Sequence, residues 1–287
     1  NGINIALANK ETLVAAGSIV TEACARTGSR LLPVDSEHSA LWQCLESRSR
    51  NATAGALRPP FNAPSDITKL TLTASGGALR TFPLDQLQEA TPDQALAHPN
   101  WDMGAKVTID SASLTNKALE LIEAKWLFGV SSDRLDAIIH PSSIVHSFVE
   151  FADGSVLAQL GAPDMRTPIQ HAITHPVRTI GISDKLDLRR LAELQFEPVD
   201  ERRFPAIRTG YRVIDEGGTS GAIFNAANEV AVQAFLERRV PFGRIAEIGA
   251  SAIDAIGISP VHSLDDIENA DTEARRYAES AITNATV

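Results

Sequence analysis

The chain has 287 residues, 44% of them hydrophobic, 22% charged and 5% aromatic, with a net charge of −10 and a pI near 5.2. That is globular composition, long enough for two core-bearing units, and its acidity excludes nucleic-acid recognition through a basic face. Two cysteines, Cys24 and Cys44, make neither a disulfide framework nor a CxxC pair, which suits a reducing cytoplasm; no apolar run reaches membrane-spanning length.

The chain opens at Asn1 rather than Met, with no charged-then-apolar leader, so it reads as part of a longer polypeptide without a visible secretory signal. Ile3–Ala8 is a short apolar run that predicts a buried strand. Glu11–Ala25 predicts a helix and Arg30–Val34 a second strand, an order expected at the tail of a parallel α/β sheet. Ser36–Glu46 opens as a helix with Ser36 as its cap. Arg48–Asp66, rich in Ser, Arg, Asn and Pro, reads as a surface linker. Ile67–Thr73 alternates like a half-buried strand and runs into Ser75-Gly76-Gly77. Thr91-Pro92 starts a short helix with proline in its first turn.

Ser111–Phe128 predicts one amphipathic helix whose apolar side carries Leu114, Ala118, Leu121, Ile122 and Trp126. Leu135–Ile139 and Ser143–Phe151 read as strands, and the second pairs with Ser155–Gly161 across an Asp153-Gly154 turn. Pro176–Pro205 is irregular connecting sequence. Helical patterns at Ala206–Glu216, Gly221–Glu237, Phe242–Ala255 and Ser263–Ala281 predict a C-terminal four-helix bundle. The fold class is therefore mixed α/β and α+β: the remnant of a parallel sheet, a central α/β part with a mixed sheet, and the helical bundle. The expected divisions are residues 1–37, 38–175, a linker at 176–204, and 205–287.

Four clusters carry chemical potential, each with a bland alternative. Asp35-Ser36-Glu37-His38 follows a strand end, where two carboxylates can face one hard cation; a helix start with acidic first-turn residues explains it equally well. Asn116, Lys117 and Glu120 share one helical face by their spacing, which is also what a solvated face with a weak surface ion pair would show. Ser75-Gly76-Gly77 offers a hydroxyl and open backbone N–H groups to a phosphate, or is a plain turn. His98–Gly104 (HPNWDMG) sets Trp and Met in a loop, as a closing lid does, although a Trp can also be a core anchor. His140 and His146, with no Cys or third His nearby, do not make a zinc set and read as core or interface histidines.

Taken in order, LANKETLV (Leu7–Val14), LLPVDSEH (Leu31–His38), TASGG (Thr73–Gly77), HPNWDMG, IDSASLTNKALELIEAKWLF (Ile109–Phe128), IHPSSIVHS (Ile139–Ser147), GSVLAQLGAPDMRTPI (Gly154–Ile169) and FNAANEVAVQAF (Phe224–Phe235) resemble the 1-deoxy-D-xylulose 5-phosphate reductoisomerase family over essentially the whole chain. The resemblance implies metal-dependent rearrangement and NADPH-dependent reduction of that sugar phosphate to 2-C-methyl-D-erythritol 4-phosphate, in isoprenoid synthesis. It implies Asp35, Glu37 and Glu120 as ligands of Mg²⁺ or Mn²⁺, and Lys10 beside the reacting carbons. Ser36, Ser75, His98, Ser111, Asn116 and Lys117 would hold the substrate, with Lys10, Glu37 and Glu120 also touching it. Asn9, Glu11 and Gly104 would meet NADPH, Trp101 and Met103 would belong to the flap, and Ser143 and Met165 would line the wall.

A homodimer formed through the Ser143–Gly161 hairpin and a cytoplasmic location follow from the same resemblance. Three departures stand out. No glycine-rich dinucleotide turn precedes the first strand, so this polypeptide alone is expected to bind NADPH poorly, and a cofactor titration checks that. Asp102 puts a carboxylate in the flap, where repulsion would weaken phosphate binding. Ala78-Leu79 replaces the Pro-Phe that often follows SGG. The rival readings are a sister oxidoreductase acting on another phosphorylated branched sugar, and a non-catalytic phosphosugar-binding remnant.

Overall fold

In chain order, the computed structural model places β1 (Ile5–Leu7), α1 (Glu11–Thr27), β2 (Leu31–Pro33), α2 (Ser36–Glu46), β3 (Ile67–Ala74), α3 (Pro92–Ala95), α4 (Ala105–Ala112), α5 (Thr115–Phe128), β4 (Leu135–Ile139), β5 (Val145–Phe151), β6 (Val156–Leu160), α6 (Arg166–Thr174), β7 (Glu197–Pro198), α7 (Ala206–Glu216), α8 (Ser220–Leu236), α9 (Gly243–Ile256) and α10 (Leu264–Asn284). Residues 2–46, 58–191 and 193–284 are described; most of the expected linker, residues 48–57, lies outside them.

The chain divides into two compact units, each gathered from separated stretches. The first comprises Asn1–Lys10, Val20–Ser75 and Glu123–Pro198, and the second Glu11–Ile19, Gly76–Ile122 and Val199–Val287. Helices α1 and α5 both start in the second unit and end in the first.

In the first unit β1 and β2 pair in parallel, with Leu7 opposite Pro33. A five-stranded mixed sheet runs β6-β5-β3-β4-β7, its β3–β4 pair parallel and its other pairs antiparallel. Apolar residues of β3 and β5, among them Leu70, Leu72 and Val149, are fully buried, and α2 packs against β5 and β6. The β5–β6 turn closes as Asp153-Gly154 predicts, with Gly154 at φ 83 and its N–H bonded to the Phe151 carbonyl. The edge strand β7 was not foreseen: it is two residues long and lies in sequence without strand patterning.

The second unit is mostly helical. Helix α8 is buried on nearly every side, through Ile223, Phe224, Val232 and Phe235, because it lies between α9 and α10 and also meets α4. A helix that is apolar all round belongs inside a core. Helix α10 instead buries one stripe, Ile267, Ala270, Ala274, Ala278 and Ile282, at the three- and four-residue spacing of a single face. Gly221 opens α8 against the start of α1, where a Cβ would sit 2.0 Å from the Val14 carbonyl oxygen; no larger residue fits that approach.

Two expectations need correction here. Ser111–Phe128 is not one helix: Leu114 takes a left-handed φ of 55 and separates α4 from α5. Ser113 supports the break through a bond from the Thr115 N–H to its hydroxyl, a local side-chain bond that competes with helix continuation. Nor is α5 amphipathic, since Leu119, Glu120, Leu121 and Ile122 are all buried while Trp126 is only half-buried. Ser36 is the first residue within α2, rather than its cap, and its hydroxyl bonds the Glu37 carboxylate; the first helical bond runs from the Ser39 N–H to the Asp35 carbonyl.

Candidate functional site

The parallel register of β1 and β2 sets their C-terminal ends side by side, so the loop after one strand meets the loop after the other. This is where open α/β sheets gather ligand-binding groups. Lys10, the residue before α1, forms an ion pair with Asp35 at the entrance to α2. Burial alone would push the Asp35 carboxyl up, but the Lys10 ammonium and His38 override it and hold that carboxyl well below the usual carboxylate range. Asp35 is thus a preformed anion. Glu37 follows in the first turn of α2, bonded by Ser36, and its backbone carbonyl accepts from the Ser147 hydroxyl at 3.0 Å.

Beneath Asp35 the first unit holds a group not recognised from the sequence. His38 Nδ1 lies 3.2 Å from Glu123 Oε2 and 3.8 Å from Asp35 Oδ1, fully buried, with its ring stacked on Phe128. The donor atoms of Asp35, His38 and Glu123 all lie within 4.8 Å of one another. The i, i+3 spacing of Asp35 and His38 was the available signal; Glu123 gave none, because a glutamate on a helix is ordinarily exposed. Ser75 and Ser143 come at the ends of the parallel pair β3–β4, with the Ser143 N–H bonded to the His140 carbonyl. Met165 stands half-exposed at the start of α6. His140 is buried, stacked on Phe196 and bonded to the Gln195 carbonyl at 2.7 Å, as expected of a core histidine.

In the second unit, Asn116 and Lys117 both bond the Glu120 carboxylate, one to each oxygen. Lys117 is 2% exposed and Glu120 1%, which overturns the bland expectation of a solvated face carrying a surface pair. Glu120 lies one turn before Glu123 on α5. Ser111 is buried near the end of α4, and the Gly76-Gly77 turn lies directly on it: a Cβ at Gly77 would sit 2.5 Å from the Ser111 carbonyl oxygen. Both glycines have positive φ, 85 and 65, so the turn requires glycine for conformation as well as space.

The loop from His98 to Gly104 is irregular, with Trp101 and Met103 half-buried and Asp102 exposed. His98 Nδ1 accepts from the Trp101 N–H at 2.9 Å, and burial lowers its pKa. Gly104 starts α4. Two residues along, Lys106 bridges Glu11 and Asp110 at 2.8 Å each, and Asp110 also accepts from Asn228 of α8 at 2.9 Å. This bridge is a second network the sequence did not reveal, because its members are far apart in the chain.

The comparisons with known proteins bear on the family. Residues 31–128 match a family model described as the 1-deoxy-D-xylulose 5-phosphate reductoisomerase C-terminal domain, and residues 160–277 one described as the DXP reductoisomerase C-terminal domain. The 1-deoxy-D-xylulose 5-phosphate reductoisomerase of Sinorhizobium medicae is 50% identical over 282 residues, covering 98% of this chain and 68% of that protein. A crystal structure of DOX-P reductoisomerase in complex with NADPH, fosmidomycin and magnesium superposes with a TM-score of 0.89 at 39% identity, over 99% of this chain and 71% of that one. The Zymomonas mobilis enzyme in complex with NADPH gives a TM-score of 0.87 at 40% identity, covering 98% and 69%. A relative half identical in sequence, of which this chain spans more than two thirds, settles kinship: the chain belongs to the 1-deoxy-D-xylulose 5-phosphate reductoisomerase family.

Proposed function

We propose that this chain supplies the substrate- and metal-binding part of the metal-dependent rearrangement and NADPH-dependent reduction of 1-deoxy-D-xylulose 5-phosphate to 2-C-methyl-D-erythritol 4-phosphate. The observation that carries the reading is the Lys10–Asp35 pair, a cation and a preformed anion at adjacent parallel strand ends in a chain of this family. The relatives and structures compared bear this enzyme's name, which does not favour a sister activity or a non-catalytic remnant.

The donor set fits a hard divalent ion. Asp35, Glu37 and Glu120 offer carboxylate oxygens, the ligands Mg²⁺ and Mn²⁺ select, and Asp35 is held ionised without a metal. When bound, the cation supplies Lewis-acid polarisation of the substrate ketone and hydroxyl, and NADPH the hydride. Lys10 stands beside the reacting carbons. Ser36, Ser75, His98, Ser111, Asn116 and Lys117 hold the substrate, several of them through its phosphate, whose charge a lysine and several donors satisfy locally. That remote grip provides orientation. Trp101 and Met103 of the His98–Gly104 loop close over the site and exclude water, Ser143 and Met165 line its wall, and Asn9, Glu11 and Gly104 face the cofactor, with Glu11 positioned by Lys106.

The same reading gives a homodimer built on the β5–β6 hairpin: edge strand β6 leaves Val156, Leu157 and Leu160 exposed, and an exposed apolar edge invites strand pairing. Sedimentation of the chain checks it, and a monomer at all concentrations would exclude it. No described helix is long and apolar enough to cross a membrane; a cytoplasmic location remains the expectation of the family. The decisive measurement is Mn²⁺ binding to the wild type, Asp35→Asn and Glu120→Gln. Each substitution is expected to weaken affinity by about 10-fold or more, and unchanged affinity in both removes the metal assignment.

A further inference from the structure

The loop from His98 to Gly104 belongs to the second unit and is tied at both ends. The His98 N–H bonds the Leu96 carbonyl just past α3, and the N–H and hydroxyl of Thr108 on α4 both bond the Gly104 carbonyl, each at 3.0 Å. Between these ties the chain turns on a side chain. His98 Nδ1 accepts from the Trp101 N–H at 2.9 Å and from the Asn100 N–H at 3.2 Å. Pro99, which has no N–H to compete, lies between. Two N–H donors aimed at one ring nitrogen leave it no place for a proton of its own, so the neutral imidazole carries its proton on Nε2.

We propose that His98 is a positioning residue that works through both ends of its ring: Nδ1 clasps the flap by fixing the main chain at Trp101, and Nε2–H is the donor offered to the substrate phosphate. The second half rests on the phosphate-binding reading given above; the first rests on the loop geometry alone.

The choice of histidine follows from the two tasks. Elsewhere in the chain the same kind of turn is closed by aspartate: Asp153, Asp164, Asp187 and Asp200 each accept the N–H two residues on. Short side chains bearing an oxygen do this because their acceptor reaches the backbone that follows them. An aspartate in place of His98 would close the turn but set a negative charge against a phosphate. An asparagine would also close it, yet its side chain extends no further. Imidazole accepts beside the main chain at Nδ1 and carries a donor outward at Nε2. Burial lowers the His98 pKa, which keeps the ring neutral, the state in which Nδ1 accepts.

Isotope-edited NMR of the imidazole nitrogens, on the whole chain at neutral pH, tests the clasp without any substitution. The expected spectrum for His98 is that of a neutral ring protonated at Nε2; a ring protonated at Nδ1 overturns the proposal. Amide exchange then tests which atom closes the turn. His98→Asn sets an oxygen where Nδ1 stands and is expected to leave exchange of the Trp101 amide at the wild-type rate. His98→Ala is expected to speed it by about 5-fold or more, the loss of one net hydrogen bond. Equal exchange in the wild type and His98→Ala, or equal acceleration in both variants, refutes the clasp. Calorimetric titration with 1-deoxy-D-xylulose 5-phosphate in saturating Mg²⁺ reads the outward donor. His98→Asn, its turn intact, is expected to bind about 10-fold more weakly or worse, the loss of a hydrogen bond to a charged group, and affinity equal to the wild type removes that donor. A wild type that does not bind the sugar phosphate overturns the phosphate reading and the Nε2 role with it, while the ring spectrum and the Trp101 amide still decide the clasp.

Discussion

Two sets of ion pairs in this chain each join a carboxylate to a cation and teach opposite lessons. Asp164–Arg166, Asp187–Arg189 and Asp200–Arg202 repeat one device: an aspartate accepts both the backbone N–H and the guanidinium of the arginine two residues on. All three arginines are exposed, the second with a side chain 90% accessible. Lys117–Glu120 on α5 and Lys10–Asp35 at the strand ends are inside. At the surface, water and salt stand ready to replace the partner, so such a pair is worth about 0–1 kcal/mol. In the interior nothing replaces it, and loss of one partner strands the other. Burial, not charge, separates a turn ornament from a site.

The comparison breaks first, and most visibly, at Lys117. Lys117→Met takes a buried cation away from the Glu120 carboxylate, and is expected to lower the unfolding free energy by about 3–5 kcal/mol. Urea denaturation measures it, and a loss under about 1 kcal/mol would place this pair with the surface ones.

The next effect is pH-dependent. Burial lowers the His171 pKa to about 4, against an unfolded value near 6.5. The unfolded chain then binds the proton more readily, so the stability from neutral His171 is present above about pH 6.5 and is lost as pH falls toward 4. The amount is on the order of 3 kcal/mol. Glu46, His175 and Arg178 face the same ring. Comparing the pH dependence of stability in the wild type and His171→Leu isolates it; identical slopes over that window refute the claim.

Asn228→Ala removes one hydrogen bond to buried Asp110 and is expected to cost about 1.5–3 kcal/mol, the range for a bond to a charged group. Because Lys106 still pairs with Asp110, the effect should fall below that of Lys117→Met, and thermal unfolding of the two variants side by side ranks them.

The smallest effect belongs to the surface. The Asp164 pKa is pulled down to about 2, first by the Arg166 side chain and then by its backbone N–H. Any stability it confers is present above about pH 4 and fades as pH falls through about 2. Arg166→Ala should raise that pKa, read by carboxyl carbon NMR, while leaving the melting temperature unmoved; a clear drop in melting temperature would mean that the exposed pair carries real stability.

Much of this was legible beforehand. The strands β2, β3, β4 and β5 and the last four helices follow from periodicity and turn chemistry, because local apolar spacing and an Asp-Gly turn act within a few residues; β1 is a strand as expected but not a buried one, since only its Leu7 is buried. The Leu114 break was not legible, as neither Gly nor Pro marks it. Nor was β7, which is too short to show a pattern and exists only because β4 offers it an edge. The polar residues Lys10, Asp35, Asn116, Lys117 and Glu120 could be named in order, yet their surroundings could not: spacing alone predicts a solvated α5 face as readily as a buried one.

What the sequence determined, then, was most of the helices and strands, the family, and which residues are the candidates for its chemistry, since each of these is written in short stretches or in an ordered set of them. Tertiary structure decided which charges lie inside, which histidines share one indole, and which carboxylate is held ionised. The reason is physical: burial and long-range pairing depend on residues such as Trp42, Glu46 and His171, or Asp110 and Asn228, that are distant in the chain and become neighbours only when it folds.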